Sequence, residues 1–365
     1  MASGSFIEAN PSSQHSSGKL ARKVVNQTKA QVFKTFSFAE SQFDLFFHSG
    51  ATEGLVTSAL SFYTLAKKKK KKFIIYYSSL DHAAVTQLKV HPLLSDTDFY
   101  LLPLTNDLEY DHKEIKSLIE KTLDSESLAL YFHLWVHNET GMISDLESLS
   151  YLKSFTDLFL HIDAVQSVGK IQNWNSPPAW IDMVTFSGHK FGALKGVGFS
   201  FISKHVEFFP LISGGAQQGN LRSGTENAVG IYSLELALQD AKLRDFVFLQ
   251  EAHEKMKILL KDQLKRLGGV VLDFRKVAPN TIYFYFEKMS SDVALAFFDL
   301  NGLELSAGSA CSSGTAKESL VLKSLHLDSV SKNGLRLSFN PQIKQEELSE
   351  LLDLLKVALN KLPTI

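Results

Sequence analysis

The sequence predicts an α/β fold, with a mostly parallel sheet flanked by helices in a large domain and a smaller α+β C-terminal domain. Three observations predict it. Short β-rich apolar runs alternate with longer amphipathic stretches over much of the chain, the signature of strand–helix–strand units. A long helical stretch at about 225–267 then carries the chain onward. Beyond it, strand and helix signals recur around a Gly/Ser-rich loop. The 365 residues, 44% of them hydrophobic, supply ample material for a buried core.

Taken in order, the strand candidates are 45–48, 73–77, 99–102, 128–133, 158–161, 183–187 and 197–202. Each is short and rich in aromatic, leucine or β-branched residues. Helical patterns at 52–66, 112–121 and 146–155 fill intervals between them. After the long helical stretch come a strand at 281–286, a helix at 292–300, the small-residue loop at 306–315, a strand at 334–339 and an amphipathic helix at 344–361. The expected division is an N-terminal segment at 1–20, a large domain at 21–240 and a small domain at 241–365.

Bulk composition excludes several classes. A net charge of −1 asks for neither nucleic acid nor an acidic membrane as partner. The lysine run at 67–72 reads as a solvated loop between a helix and a strand. With a single cysteine no internal disulfide forms, which suits a reducing compartment. No apolar leader opens the chain, and no stretch reaches the roughly 18 apolar residues of a membrane span. The expectation is a soluble cytoplasmic protein.

Several short segments carry chemistry. Ser187-Gly188-His189-Lys190 ends a predicted strand. A lysine held there in a pocket loses its proton readily and forms a Schiff base with a carbonyl, although most such lysines are surface residues. Asp163 closes another strand, where a carboxylate can hold a proton on a pyridine nitrogen; a helix cap or a His-x-Asp metal pair with His161 are the plainer readings. Ser49-Gly50-Ala51-Thr52-Glu53 joins a strand to a helix, so its amides and hydroxyls suit a phosphate, or simply cap the helix. Cys311 stands among small polar residues, which favours an exposed reactive thiol over an inert core filler. Arg336 lies on an otherwise small and apolar strand, placed either to fork onto a carboxylate or to make a structural ion pair.

Together and in this order, the segments resemble a family. The matching stretches are NPSS with His15, SGATE at 49–53, DHAAV at 81–85, HNETG at 137–141, HIDAVQSVGKI at 161–171, FSGHK at 186–190, KGVG at 195–198, RSGTEN at 222–227, GSACSSG at 308–314 and LRLSF at 335–339. The chain resembles the cysteine desulfurases of the iron–sulfur cluster and nitrogen-fixation type, within the class V aminotransferase group of fold-type I enzymes that use pyridoxal 5′-phosphate (PLP). That resemblance implies a PLP-binding large domain and conversion of L-cysteine to L-alanine with a persulfide on Cys311. It implies that Lys190 carries PLP, that Asp163 faces the ring nitrogen, that Gln166 bonds the ring hydroxyl and that His82 stacks on the ring and moves protons. Ala51, Thr52, Ser187 and His189 would hold the phosphate, with Thr225 supplied by the second subunit of a homodimer. Asn138 and Arg336 would bind the substrate carboxylate. The sulfur would pass to an acceptor protein such as an iron–sulfur scaffold. No metal is implied.

Two departures from the family pattern bear on these expectations. The family usually opens with a strand of the type Y-L-D-N-N-A-T-T, whereas here residues 6–9 lead almost directly to Asn10-Pro11. A shortened N-terminal segment, packed near the active site, is therefore expected. Trp135 and His137 also stand where the family has His and Asn, while Asn138 and Glu139 are kept. These changes leave two alternatives to a cysteine desulfurase: a selenocysteine lyase or related PLP lyase, and a non-catalytic paralogue that acts as a binding partner.

Overall fold

The structure, a computed structural model, describes residues 8–308 and 318–362. Chain order runs α1 (Ser16–Phe36), β1 (Phe43–His48), α2 (Ala51–Lys68), β2 (Lys72–Tyr77), α3 (Ala83–Thr86), β3 (Asp98–Leu101), α4 (His112–Thr122), β4 (Ser127–Leu134), β5 (Leu158–Asp163), β6 (Met183–Ser187), β7 (Gly198–Ser203), α5 (Ala228–Ala241) and α6 (Phe246–Arg266). The strands form one seven-stranded sheet in the order β1-β7-β6-β5-β4-β2-β3. Only β7 runs antiparallel to its neighbours, as the sequence pattern predicts for a mostly parallel sheet. Each predicted strand of this region falls on one of the seven. Strand β4 is buried along its whole length, because helices cover both faces of a parallel sheet.

A second, antiparallel sheet follows in the order β10-β11-β9-β8. Its elements are β8 (Gly269–Val271), β9 (Thr281–Phe286), α7 (Ser291–Leu300), β10 (Ser306–Ala307), α8 (Leu320–Ser324), β11 (Gly334–Ser338) and α9 (Gln345–Lys361). It has its own core, in which Leu249, Met256 and Leu260 of α6 meet Phe284 and Phe286 of β9 and Leu355 and Leu359 of α9. The predicted strands and helices of this region are present; β8, β10 and α8 are additional, and β10 takes residues 306–307 of the predicted loop.

Four expectations need correction. The pattern at 146–155 forms a 3-10 helix, Glu147–Ser154, in which the three-residue spacing of Leu149 and Leu152 buries both. The helical stretch at 225–267 is broken at 242–245, where Asp245 accepts hydrogen bonds from Val247 N and Phe248 N, both at 3.0 Å, and so starts α6 afresh. The lysine run is exposed except at half-buried Lys71, and it is only partly loop: Lys67 and Lys68 end α2 and Lys72 begins β2. Lys67, Lys68 and Lys71 pair with Asp96, Glu207 and Asp157. Finally, α1 had no predicted counterpart. Its buried face sets Gly18, Ala21, Thr28 and Thr35 beside Val25, Val32, Phe33 and Phe36, so half of it is small or polar. No helix of the described residues is long and apolar enough to cross a membrane.

Beneath α2, a buried polar chain links four strands. His48 Nε2 meets Ser200 Oγ at 2.9 Å, Ser200 Oγ meets Thr185 Oγ1 at 2.7 Å, and Thr185 Oγ1 meets His161 Nε2 at 2.7 Å. Burial holds both imidazoles neutral, with pKa values lowered to about 4 for His48 and about 3 for His161. The residue of α2 above this chain is Gly54, and a Cβ there would stand 2.8 Å from Thr185 Cγ2 and 2.9 Å from both His48 Nε2 and Ser200 Oγ. We therefore expect Gly54→Ala to destabilise the fold by about 1–3 kcal/mol, because overpacking outweighs the gain in helix propensity. Urea unfolding measures it; a stabilised variant would show that α2 is not held this close.

Candidate active site

Parallel strands end on one side of their sheet, and ligands of such sheets bind beyond those ends. The predicted site residues of the large domain follow that rule. Strand β1 ends at His48, just before Ser49–Thr52; β2 ends at Tyr77, ahead of His82; β4 ends at Leu134, ahead of Asn138; β5 ends at Asp163; β6 ends at Ser187, ahead of His189 and Lys190.

The anion cradle forms where β1 and β6 end. Helix α2 has Gly50 as N-cap and no side-chain cap, so its first amides, on Ala51 and Thr52 among others, have no partner within the helix. A Cβ on Gly50 would lie 3.9 Å from Ser187 Oγ, so the helix start and the end of β6 adjoin. Ser187 Oγ in turn bonds His189 Nδ1 at 3.1 Å. Burial and then the neighbouring Lys190, Lys195 and Lys170 hold the His189 pKa below its usual value. Free helix amides, hydroxyls and lysines gathered in this way suit a phosphate. The RSGTEN segment is tied to the same helix: Arg222 Nε donates to Glu53 Oε1 at 2.9 Å, and Ser49 N donates to Glu53 Oε2 at 2.8 Å. Thr225 lies exposed on that segment; its expected place is in a second subunit's site.

A pair of carboxylates forms a second centre. Asp163 is buried and accepts one bond from Val165 N at 3.1 Å. Burial pushes its pKa up, and the nearby His82 opposes the shift. Asp81 is buried too, accepts from Ser78 N at 2.8 Å, and is pushed well up by burial and by the charge of Asp163. A carboxylate so desolvated is stabilised by a cationic N–H donor such as a protonated ring nitrogen, so the donor set fits PLP. His82 caps α3 by accepting Ala84 N on Nδ1 at 3.1 Å, which leaves its ring proton to Nε2.

The third centre is a cavity of about 140 Å³ whose lining includes His137, Asn138, Gln166, Lys170, Lys190 and Arg336. Arg336 reaches it from β11 of the second sheet, and its Nη1 donates to Asn138 O at 2.6 Å. Four of the predicted residues, Asn138, Gln166, Lys190 and Arg336, thus share one cavity. In the single chain Lys190 is exposed, contrary to the buried lysine expected there. The more sheltered lysine is Lys170, half-buried, which donates to Gln166 Oε1; desolvation, Lys190, Arg336 and Arg244 lower its pKa to about 7.

Sequence reasoning passed over Lys170, Arg244 and Glu139. Arg244 Nη1 donates to Gly169 O at 3.0 Å and its Nη2 to Phe191 O at 3.2 Å, joining the turn after Gln166 to the residue after Lys190. A single Arg in a polar linker gives no signal of that. Glu139 lies buried beside Arg336, close to Gly308 and to Ser319, the N-cap of α8. Its retention in HNETG was the available signal. Cys311 falls outside the described residues. The departures at Trp135 and His137 are absorbed locally: Trp135 packs in the core, and His137 Nδ1 bonds Thr140 Oγ1 at 2.9 Å within its turn. No group of three His, Cys, Asp or Glu among the described residues is placed to hold a metal.

The chain is similar to known proteins over nearly its whole length. The family described as Aminotransferase class-V matches residues 5–351. A cysteine desulfurase IscS of Dictyoglomus turgidum is 31% identical over 98% of this chain and 89% of its own length. The cysteine desulfurase NifS of Azotobacter vinelandii is 29% identical over 94% of this chain and 84% of its own. Among solved structures, a NifS-like protein superposes with a TM-score of 0.82 at 26% identity, covering 97% of this chain and 92% of that one.

Burial raises the Glu139 pKa from 4.5 to about 7, against the pull of Arg336. A raised carboxyl favours the folded state fully below its unfolded pKa, and that contribution is lost as pH rises to the folded one. Glu139→Gln, which keeps the neutral form, is therefore expected to gain stability relative to the parent between pH 5 and 8, by up to about 3 kcal/mol at the upper end. Urea midpoints across that range test it. Parallel pH profiles for the two proteins would refute it.

Proposed function

Because the chain belongs to the class V aminotransferase family, we propose that it is a PLP-dependent cysteine desulfurase, which converts L-cysteine to L-alanine and holds the sulfur as a persulfide on Cys311. The observation that carries this reading is the shared cavity of Asn138, Gln166, Lys190 and Arg336, which joins a Schiff-base lysine to a carboxylate-binding fork. Bound PLP supplies an electron sink for the carbanion that forms when the Cα proton leaves the substrate.

The chain's own residues do the rest. Arg336, with Asn138, receives the substrate carboxylate, and Arg336 is already oriented by its bond to Asn138 O. Lys190 would hold the cofactor and would be the base near Cα. Asp163 would hold a proton on the ring nitrogen, and His82 would lie against the ring. The α2 amides with Thr52, Ser187 and His189 hold the phosphate. Cys311 is the only thiol in the sequence. As thiolate it attacks the substrate sulfur; the S–C bond breaks, its electron pair stays on carbon, and protonation there gives alanine. A homodimer supplies Thr225 to the opposite phosphate site, and the persulfide passes to a sulfur-acceptor protein.

Alanine release tests the reading. Purified protein reconstituted with PLP and given L-cysteine and a reducing agent is expected to form alanine over many turnovers. Cys311→Ala should lower that rate at least about a hundredfold while the cofactor's visible absorbance stays. Full-rate alanine from Cys311→Ala, or none from cofactor-loaded parent protein, would refute the assignment.

A further inference from the structure

Lys190 and Arg336 have roles in the proposed reaction; Lys170, the third cation of their cavity, has none. Three like charges lining one small cavity repel, so each needs something to compensate it. The position of Lys170 follows from the backbone. After β5 the chain makes two successive turns, with Ser167 N donating to Ala164 O at 3.1 Å and Lys170 N to Ser167 O at 3.0 Å. These put Gln166 and Lys170 together, and the Lys170 Nζ donates to Gln166 Oε1. Gly169, between them, adopts φ +64°. A Cβ there would run into Arg244 Nη1 at 2.2 Å, so the turn and its brace are fitted to each other.

An amide side chain has one accepting and one donating end, and which end faces a ligand depends on the partner that takes the other. An ammonium only donates. With Lys170 on the Oε1 of Gln166, the opposite Nε2 is the end left to face the cavity. We propose that Lys170 is a positioning residue that fixes the Gln166 amide with its donor toward the cofactor's ring oxygen. The inference rests on the PLP reading of the site. Lys170 touches neither substrate nor reacting atoms in this role; it acts through Gln166. The charged groups around it are Lys190, Arg336 and Arg244, so it is Gln166 Oε1, a neutral acceptor, that compensates its ammonium.

The test reads the cofactor itself. A donor on the ring oxygen draws negative charge away from the adjoining lysine–cofactor nitrogen, so losing it raises the pH midpoint of the bound cofactor's visible absorbance. In PLP-loaded protein, Lys170→Met and Gln166→Leu should each raise that midpoint by about one pH unit, the worth of one hydrogen bond. The double variant should equal Gln166→Leu alone, and Lys170→Arg should stay near the parent. Additive shifts would mean that Lys170 acts by charge and not through Gln166, which overturns the proposal. So would an unmoved midpoint in Lys170→Met beside a shifted Gln166→Leu. Failure of the parent protein to take up PLP would overturn the cofactor reading and the inference with it, a result distinct from either of these.

Discussion

Parallel strand pairing is the constraint on which the site depends. Six of the seven strands of the large sheet point the same way, so their carboxyl ends lie on one side, and five of those ends lead into a candidate functional segment. The side chains come from positions as distant in sequence as 52, 82, 163 and 187, yet none needs a long loop to reach the others. The one antiparallel member, β7, lies between β1 and β6 and extends the sheet without contributing a site residue. The buried chain from His48 to His161 ties β1, β7, β6 and β5 together beneath α2, which fixes the helix whose first amides face the anion cradle.

Charge at the site is unevenly compensated within the chain. Lys170, Lys190 and Arg336 line one cavity, while Asp81, Asp163 and Glu139 are all pushed toward their neutral forms by burial. Separately, each arrangement is unfavourable: crowded cations repel, and desolvated carboxylates resist ionisation. A ligand with an anionic tail and a cationic ring relieves both at once. This is why the donor set fits PLP better than a wholly anionic or wholly neutral group, and why ligand binding should favour the folded state.

The fold was legible where the period of the pattern and the residue types agreed. Runs such as 183–187 and 281–286 are short, apolar and β-rich, and they coincide with β6 and β9. Helix α1 was missed because its inward face uses Gly18, Ala21 and Thr28, which fill tight contacts without raising the hydrophobic signal. The gap between α5 and α6 was missed because helical periodicity continues across it; only Asp245 marks the restart. At the site, Asn138, Gln166, Lys190 and Arg336 were named from short segments and meet in one cavity. Lys170 stood within one of those segments, yet its place in the cavity depends on turns that no spacing rule reveals. Arg244 was less legible still, since it contributes through backbone carbonyls of residues far from it in sequence.

Arg336 shows why the altered residues beside it are compatible with an unchanged arrangement. It belongs to the second sheet, and its partner Asn138 follows β4 of the first, so its aim depends on how the two sheets join. That join is made by backbone. Ala278 N donates to Gly141 O at 2.7 Å and Ile143 N to Lys276 O at 2.9 Å, so the turn carrying Asn138 is bonded directly to the segment leading into β9. Gly141 permits it with φ +75°, and a Cβ there would stand 3.0 Å from Thr281. None of these bonds uses a side chain of Trp135 or His137. Trp135 points its bulk into the core, and His137, held neutral with a pKa lowered to about 4 by burial and then Arg336, closes its own turn. Because Arg336 is held through Asn138's carbonyl, its aim does not depend on the side chains of the altered residues that precede Asn138.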